Sequence, residues 1–235
     1  MPFDGFGPGA LRFLQDLTFN NDREWFAANR DRYETEIRGP AQSFIVSLGV
    51  LLSEEFPSVI FDTRLNGSGS LMRIYRDIRF SPDKRPLKEN VGIIFPLKPG
   101  KKVEVPIFYF HIEAGRSFFY GGQHVFSPEV LESFRQAVDD DRTGAALQAI
   151  LSDLALKGLR AMEEPAYKRV PRSHAADHPR ADLLRQAALG VGIDFRPENL
   201  ERADLAVRCF DAAVAMKPLM DWLAAVNGAA VKNRS

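Results

Sequence analysis

The sequence predicts an α+β fold, with a central, mostly antiparallel sheet of about five strands (roughly residues 58–121) covered by N-terminal and C-terminal helices. Three observations carry this. Apolar residues recur at helical spacing from Ala10 to Phe56 and again after Gly121-Gly122; β-branched and aromatic runs replace that spacing in between; and the two kinds of segment are segregated, which argues against a doubly wound sheet. No repeat, low-complexity tract or linker interrupts the chain, so residues 1–235 are expected to form a single domain.

Three helices account for the N-terminal apolar positions Leu11, Leu14, Leu17, Trp25, Tyr33, Ile37, Phe44, Leu48 and Leu52. Asn21 is placed to cap the second, with Glu24 in capping-box position, and Pro40 fits the first turn of the third, which Pro57 stops. Strands are expected at Val59–Phe61, Leu71–Phe80, Val91–Phe95, Ile107–Glu113 and Ser117–Tyr120. The short Ala114-Gly115 link makes the last two antiparallel neighbours. Ser127-Pro128-Glu129 opens a helical pair with a cap, a first-turn proline and an acidic first turn. Glu163–Pro179, with three prolines, reads as an ordered loop or short hairpin, and Asp182–Leu189 and Ala203–Val226 read as closing helices.

Composition narrows the function classes. With 31 basic and 31 acidic residues the formal charge is zero, which excludes a surface wholly given to nucleic acid or membrane. The single cysteine, Cys209, permits no intrachain disulfide, and its place beside Phe210 suits a small core residue. Met1 to Phe6 lacks a basic segment followed by an apolar one, and charges such as Asp211 and Lys217 break the apolar stretches, so a soluble, cytoplasmic protein that does not enter a membrane is expected.

The stretch Arg73–Lys88 holds six basic and two acidic residues in this otherwise neutral chain. On an extended strand Met72, Ile74, Ile78 and Phe80 would share one face and Arg73, Tyr75, Asp77 and Arg79 the other. Arg76 would fall among the apolar set, a position that demands a partner, solvent or a bulge. Ile107–Glu113 divides the same way, with Phe108, Phe110 and Ile112 opposite Tyr109, His111 and Glu113. If both strands pack their apolar faces on the helices, Arg73, Asp77, Arg79, His111 and Glu113 gather on one side. Arginine forks there suit phosphate or carboxylate, while Asp77, His111 and Glu113 are the candidates to orient or transfer protons. Lys84, Arg85 and Lys88, on a loop stiffened by Pro82 and Pro86, would close over the anion. The competing structural reading is an ordinary solvent-facing sheet whose cross-strand pairs contribute about 0.2–1 kcal/mol each.

Other motifs yield less. His111 and Glu113 with His124 lack the spacing of known zinc motifs, and Pro179 disfavours the helix that would set His174 and His178, four apart, on one face, so no metal site is expected. Asp177-His178-Pro179 reads as a loop-tying segment. Gly5-Phe6-Gly7-Pro8-Gly9 has no preceding strand, and Gly67-Ser68-Gly69-Ser70 opens no helix, so neither is a nucleotide-binding loop.

Two blocks resemble a known family: Asn20-Asn21-Asp22-Arg23-Glu24-Trp25-Phe26 with Asn29-Arg30 and Tyr33-Glu34, and the run from Arg73 to Lys84 with Pro86 and Lys88. With Tyr109–Glu113, Gly121-Gly122, Pro128, Pro171 and Asp177-His178-Pro179, the chain resembles the bacterial and fungal family called domain of unknown function 2461 over nearly its whole length. Leu87 stands where an aromatic is common in that family. The resemblance implies no activity, substrate or cofactor.

The leading expectation is a protein that binds a small anionic ligand, phosphorylated ligands included, through Arg73, Arg76, Arg79, Lys84, Lys88, Tyr75 and Tyr109, with acid–base catalysis by Asp77, His111 and Glu113 as an added capacity. The alternatives are a nucleic-acid binder that stacks bases on Tyr75 or Tyr109 and a protein-interaction module without catalysis. The sequence names no cofactor and no oligomeric state.

Overall fold

A computed structural model describes residues 3–64 and 68–232, so Met1 and Pro2 of the N-terminal reading and Gly67 of the Gly67–Ser70 turn lie outside the described residues. Helices α1 (Pro8–Phe19), α2 (Arg23–Ala28) and α3 (Arg30–Arg32) are followed by a π-helical turn (Tyr33–Arg38) and α4 (Gly39–Glu55). Strands β1 (Asn90–Pro96), β2 (Ile107–Glu113) and β3 (Ser117–Gln123) precede α5 (Pro128–Asp139), α6 (Asp141–Leu156), β4 (Arg160–Ala161) and α7 (Ala181–Leu184). The chain then forms β5 (Leu189–Phe195), α8 (Pro197–Leu200) and α9 (Leu205–Lys232). The architecture is α+β, with an open antiparallel sheet in the order β1-β2-β3-β5-β4.

The chain packs as two compact units. The first comprises the residues up to Phe95, Tyr109–Phe119 and Asp194–Asp211; the second comprises Pro96–Phe108, Tyr120–Ile193 and the chain from Ala212 on.

Aromatic rings dominate the core of the first unit. Phe44 lies 4.6 Å from Phe110 of β2, Phe6 stacks on Phe110 at 5.9 Å, and Phe195 closes the cluster at 6.1 Å. Side chains alternate along a strand, so with Phe110 and Ile112 buried, Tyr109, His111 and Glu113 take the other face of β2. The expected division of this strand is therefore present. Asp22, rather than Asn21, caps α2, its carboxylate accepting the Trp25 N–H at 2.8 Å. Pro40 stands in the first turn of α4, as its missing N–H predicts, yet the helix before it does not stop. The chain widens instead into the π turn, and Gly39 N–H reaches back to the Glu34 carbonyl.

In the second unit β4 pairs antiparallel with β5, Arg160 opposite Gly192. Tyr120 leaves no room for a side chain at residue 190, where a Cβ would lie 2.3 Å from its ring, and a Cβ on Gly122 would lie 2.4 Å from the Gly190 Cα. Arg180, only 7% exposed, donates to the carbonyls of Val138 and Asp139 at 2.6 and 2.9 Å and to Asp141 Oδ1 at 3.0 Å, capping the C-terminus of α5. His178 Nδ1 accepts the Arg180 N–H at 3.0 Å, which leaves its proton on Nε2, facing Asp139 at 3.3 Å. These two contacts tie the loop to the C-terminus of α5.

The structure corrects three local expectations. Among the described residues Val59–Phe61 forms no ladder, and Leu71–Phe80 makes only isolated bridges, Leu71 to Ile93 and Tyr75 to Leu87. Beyond Arg76 the chain turns because Asp77 and Asp83 each accept the backbone N–H two residues on, at 3.2 and 3.0 Å, and proline supplies no donor at 82 or 86. Phe80, assigned above to an apolar face, is 92% exposed as a result. Finally, the expected Asp182–Leu189 helix is helical only through Leu184, the end of α7, and Leu189 opens β5.

Candidate functional site

The first unit contains a cavity of about 140 Å3. One wall is helical, with Phe26 from α2, Arg30 from α3, and Tyr33, Glu34 and Arg38 from the π turn; the other is the extended segment Leu71–Tyr75. Arg30, Glu34 and Arg38 follow one another at four-residue intervals and so line one helical face. Glu34 accepts from Arg38 Nη1 at 2.5 Å and lies 3.9 Å from Arg30 Nε. Phe26 sets its ring edge-on to both Tyr33 and Tyr75, at 5.3 and 5.8 Å. Burial pushes the Tyr33 hydroxyl up to about 12, against the pull of Arg38 and Arg30, so it stays a hydrogen-bond donor at neutral pH.

Arg73 makes no hydrogen bond or ion pair among the described residues. Lys88 is half-buried, and its pKa is lowered by that burial first and by the charges of Arg73 and Arg76 next. Arg76 has the partner its position demands, Asp83 at 2.6 Å, yet its Nε is buried without an acceptor. Of these three neighbouring cations only Arg76 is ion-paired among the described residues, and the charge of Arg73 is felt by Asp77. The other basic residues of the loop are engaged: Arg79 grips Asp77 through Nε and Nη2 at 3.0 and 2.8 Å, Arg85 bridges Asp83 and Glu89, and Lys84 Nζ donates to the Ile78 carbonyl at 3.0 Å. The hydrogen bonds from Arg79 hold the Asp77 carboxyl down at about 2, too weak a base for proton transfer at neutral pH.

A second cluster sits on the outer face of β2. His111 Nδ1 lies 3.0 Å from the Tyr109 hydroxyl and 3.4 Å from Asn90 Nδ2, and its Nε2 lies 3.3 Å from Glu113 Oε2. A neutral ring with its proton on Nε2 accepts from Tyr109 and donates to Glu113. Phe118 stacks on the imidazole at 4.8 Å, and the Arg116 guanidinium lies over the Phe118 ring at 4.6 Å. Burial lowers the His111 pKa, while Glu113 raises it. Chemically, this is a hydrogen-bonded chain from a phenol through an imidazole to a half-exposed carboxylate.

Gly92 brings the two groups to a common border. A Cβ there would lie 2.7 Å from the Tyr109 hydroxyl and 3.0 Å from the sulfur of Met72, and Met72 also lines the cavity. Among the described residues no hydrogen bond or ion pair joins the arginine set to the His111 set. The expected gathering of Arg73, Asp77, Arg79, His111 and Glu113 thus resolves into Arg73 and Tyr75 in the cavity, Tyr109, His111 and Glu113 in the cluster, and Asp77 with Arg79 in an exposed turn. The sequence reading misses Arg30, Tyr33, Glu34 and Arg38 as site residues. Their signal is the four-residue spacing of Arg30, Glu34 and Arg38, ahead of the Gly39-Pro40 break.

Among the described residues no three His, Cys, Asp or Glu side chains are grouped to hold a metal ion, and no helix is long and apolar enough to cross a membrane. Comparison with curated proteins and with solved structures gives no match. The family model described as conserved hypothetical protein (DUF2461) matches residues 9–222, a span that contains both walls of the cavity and the His111 cluster. The chain therefore belongs to the DUF2461 family.

Proposed function

We propose that the protein binds a small anionic ligand in the cavity between the π turn and Leu71–Tyr75. The observation that carries this reading is a small hollow lined by three arginines and one glutamate, in which Arg73 makes no hydrogen bond or ion pair among the described residues. Guanidinium groups present paired donors in a planar fork suited to oxyanions, and an arginine left without a carboxylate keeps that fork available. Lys88 and the unsatisfied Nε of Arg76 add positive potential beside Arg73. His111, oriented by Glu113 and hydrogen-bonded to Tyr109, is the acid–base group of this reading. The buried Cys209 makes no demand for an oxidising compartment, which supports a cytoplasmic setting.

Calorimetric titration with inorganic phosphate tests the proposal. Heat of binding is expected for the wild type and a loss of at least tenfold in affinity for Arg73→Ala; no heat with the wild type, or equal affinity in the variant, would contradict it.

One observation favours a second reading. Phe80 is almost fully exposed beside the Arg79 guanidinium, 5.7 Å from its ring, an arrangement suited to stacking a nucleobase. Binding of single-stranded oligonucleotides that weakens steeply with salt and is lost in Phe80→Ala would favour it.

A further inference from the structure

The lining of the cavity carries more positive charge than its own carboxylate balances. Arg30, Arg38 and Arg73 face a single Glu34, leaving two positive charges in excess. Glu34 is held between Arg38 and Arg30, so it fixes two of the forks and leaves the third, Arg73, uncommitted. Tyr33 adds a neutral donor at the same wall. Phe26 and Tyr75 supply ring surface without charge.

These features select among oxyanions. A carboxylate or sulfate ester brings one negative charge and would leave a cation uncompensated in a partly enclosed space. A nucleoside triphosphate brings about four charges at neutral pH, about twice what the lining leaves uncompensated. A dicarboxylate carries two charges but spreads them over two groups at the ends of a carbon chain. A phosphate monoester places two charges on the three oxygens of a single centre, and its organic half can lie on an aromatic wall.

Resting on the anion-binding reading, we infer that the ligand is a phosphate monoester whose dianionic phosphoryl group is held among Arg30, Arg38 and Arg73 with the Tyr33 hydroxyl as a neutral donor, and whose ester group lies along Phe26 and Tyr75. The contact is binding only; no bond to phosphorus is made or broken in it.

The test is calorimetry with phenyl phosphate, phenyl sulfate and succinate against the full chain. The first two share shape and differ by one charge above the second ionisation of the monoester, near pH ~6. At pH 8 phenyl phosphate is expected to bind at least tenfold more tightly than phenyl sulfate or succinate, and the margin over sulfate should shrink below pH 6 as the monoester takes up its second proton. Arg73→Ala should remove the preference and Arg73→Lys should restore part of it, with folding verified by circular dichroism; Lys157→Ala, at the end of α6, should change nothing. Equal binding of phosphate and sulfate esters, lost in Arg73→Ala, would overturn this inference and leave anion binding standing. Tighter binding of succinate would do the same. No binding of any probe, or binding indifferent to Arg73→Ala, would overturn both.

Discussion

Asn21 holds the backbone of Leu87 at both ends of its carboxamide: the Leu87 N–H donates to Oδ1 at 3.1 Å, and Nδ2 donates to the Leu87 carbonyl at 3.1 Å. Nδ2 also reaches Glu89 Oε1 at 2.8 Å, and Glu89 in turn accepts from Arg85. A side chain at the start of α2 thus mimics a strand partner and fixes the far end of the basic loop, from which Leu87 bridges back to Tyr75 at the cavity.

Asn21→Ala should therefore destabilise the protein by about 1–3 kcal/mol, because it leaves part-buried backbone groups unpaired. Asn21→Asp should be at least as harmful, since it removes the donor and turns a second carboxylate toward Glu89. Urea denaturation monitored by fluorescence measures both, and a change of only a few tenths of a kcal/mol in Asn21→Ala would remove the clamp from the account.

Arg73→Ala should behave in the opposite way. Its side chain is exposed and makes no pairing among the described residues, so stability should stay within about 0.5 kcal/mol of wild type while anion affinity falls. A large drop in melting temperature would mean that Arg73 serves the fold.

His111 should set a pH dependence. Its folded pKa lies below the ordinary 6.5 because burial outweighs Glu113, so the unfolded chain binds more protons and stability declines as pH falls through 6.5, with no contribution lost above it. The ring shares its site with Tyr109 and Glu113 of β2, Asn90 of β1, Phe118 of β3 and Arg116 of the hairpin. Glu113→Gln removes the one contribution that raises the pKa, so the imidazole C–H resonance followed by NMR should titrate at still lower pH in that variant. An unchanged midpoint would separate Glu113 from His111.

Asp77 should titrate at about 2 and return toward the ordinary 3.8 in Arg79→Ala. Its depressed pKa contributes stability that is present above 3.8 and disappears as pH falls toward 2. Carboxyl carbon chemical shifts give both midpoints, and a wild-type midpoint near 3.8 would dissolve the pairing.

Gly190→Ala should cost about 1–3 kcal/mol by overpacking, since the new methyl would meet the Tyr120 ring. Chemical denaturation reads the loss; a neutral result would show that β5 can shift away.

What the sequence reveals of this molecule follows from which interactions are local. Helices α1, α5 and α9 and the β2–β3 hairpin are legible because periodicity, caps and a tight turn are written into neighbouring residues. Strand β5 is hidden because Gly190 and Gly192 look like breaks, and only the bulk of Tyr120 in another strand explains the first of them. The Leu71–Phe80 segment imitates a strand by alternating apolar and charged residues. The Asp-x-Arg step within it at Asp77-Arg79, like those at Asp62-Arg64 before it and Asp83-Arg85 after it, instead folds back on itself, the carboxylate taking both the backbone N–H and the guanidinium two residues on. Arg73 and Tyr75 are visible in sequence as half of the cavity. The helical half is not, because Arg30, Glu34 and Arg38 look like an ordinary solvated helix face until the π turn and Leu71–Tyr75 enclose them.

The most direct measurement is anomalous diffraction from crystals soaked in sodium selenate, which carries two charges on a tetrahedral centre. A selenium peak within hydrogen-bond reach of the Arg73 guanidinium and of Arg30 or Arg38 is the predicted result. Selenate found only elsewhere, with the hollow between the π turn and Leu71–Tyr75 empty, would contradict the assignment of that hollow as an anion site.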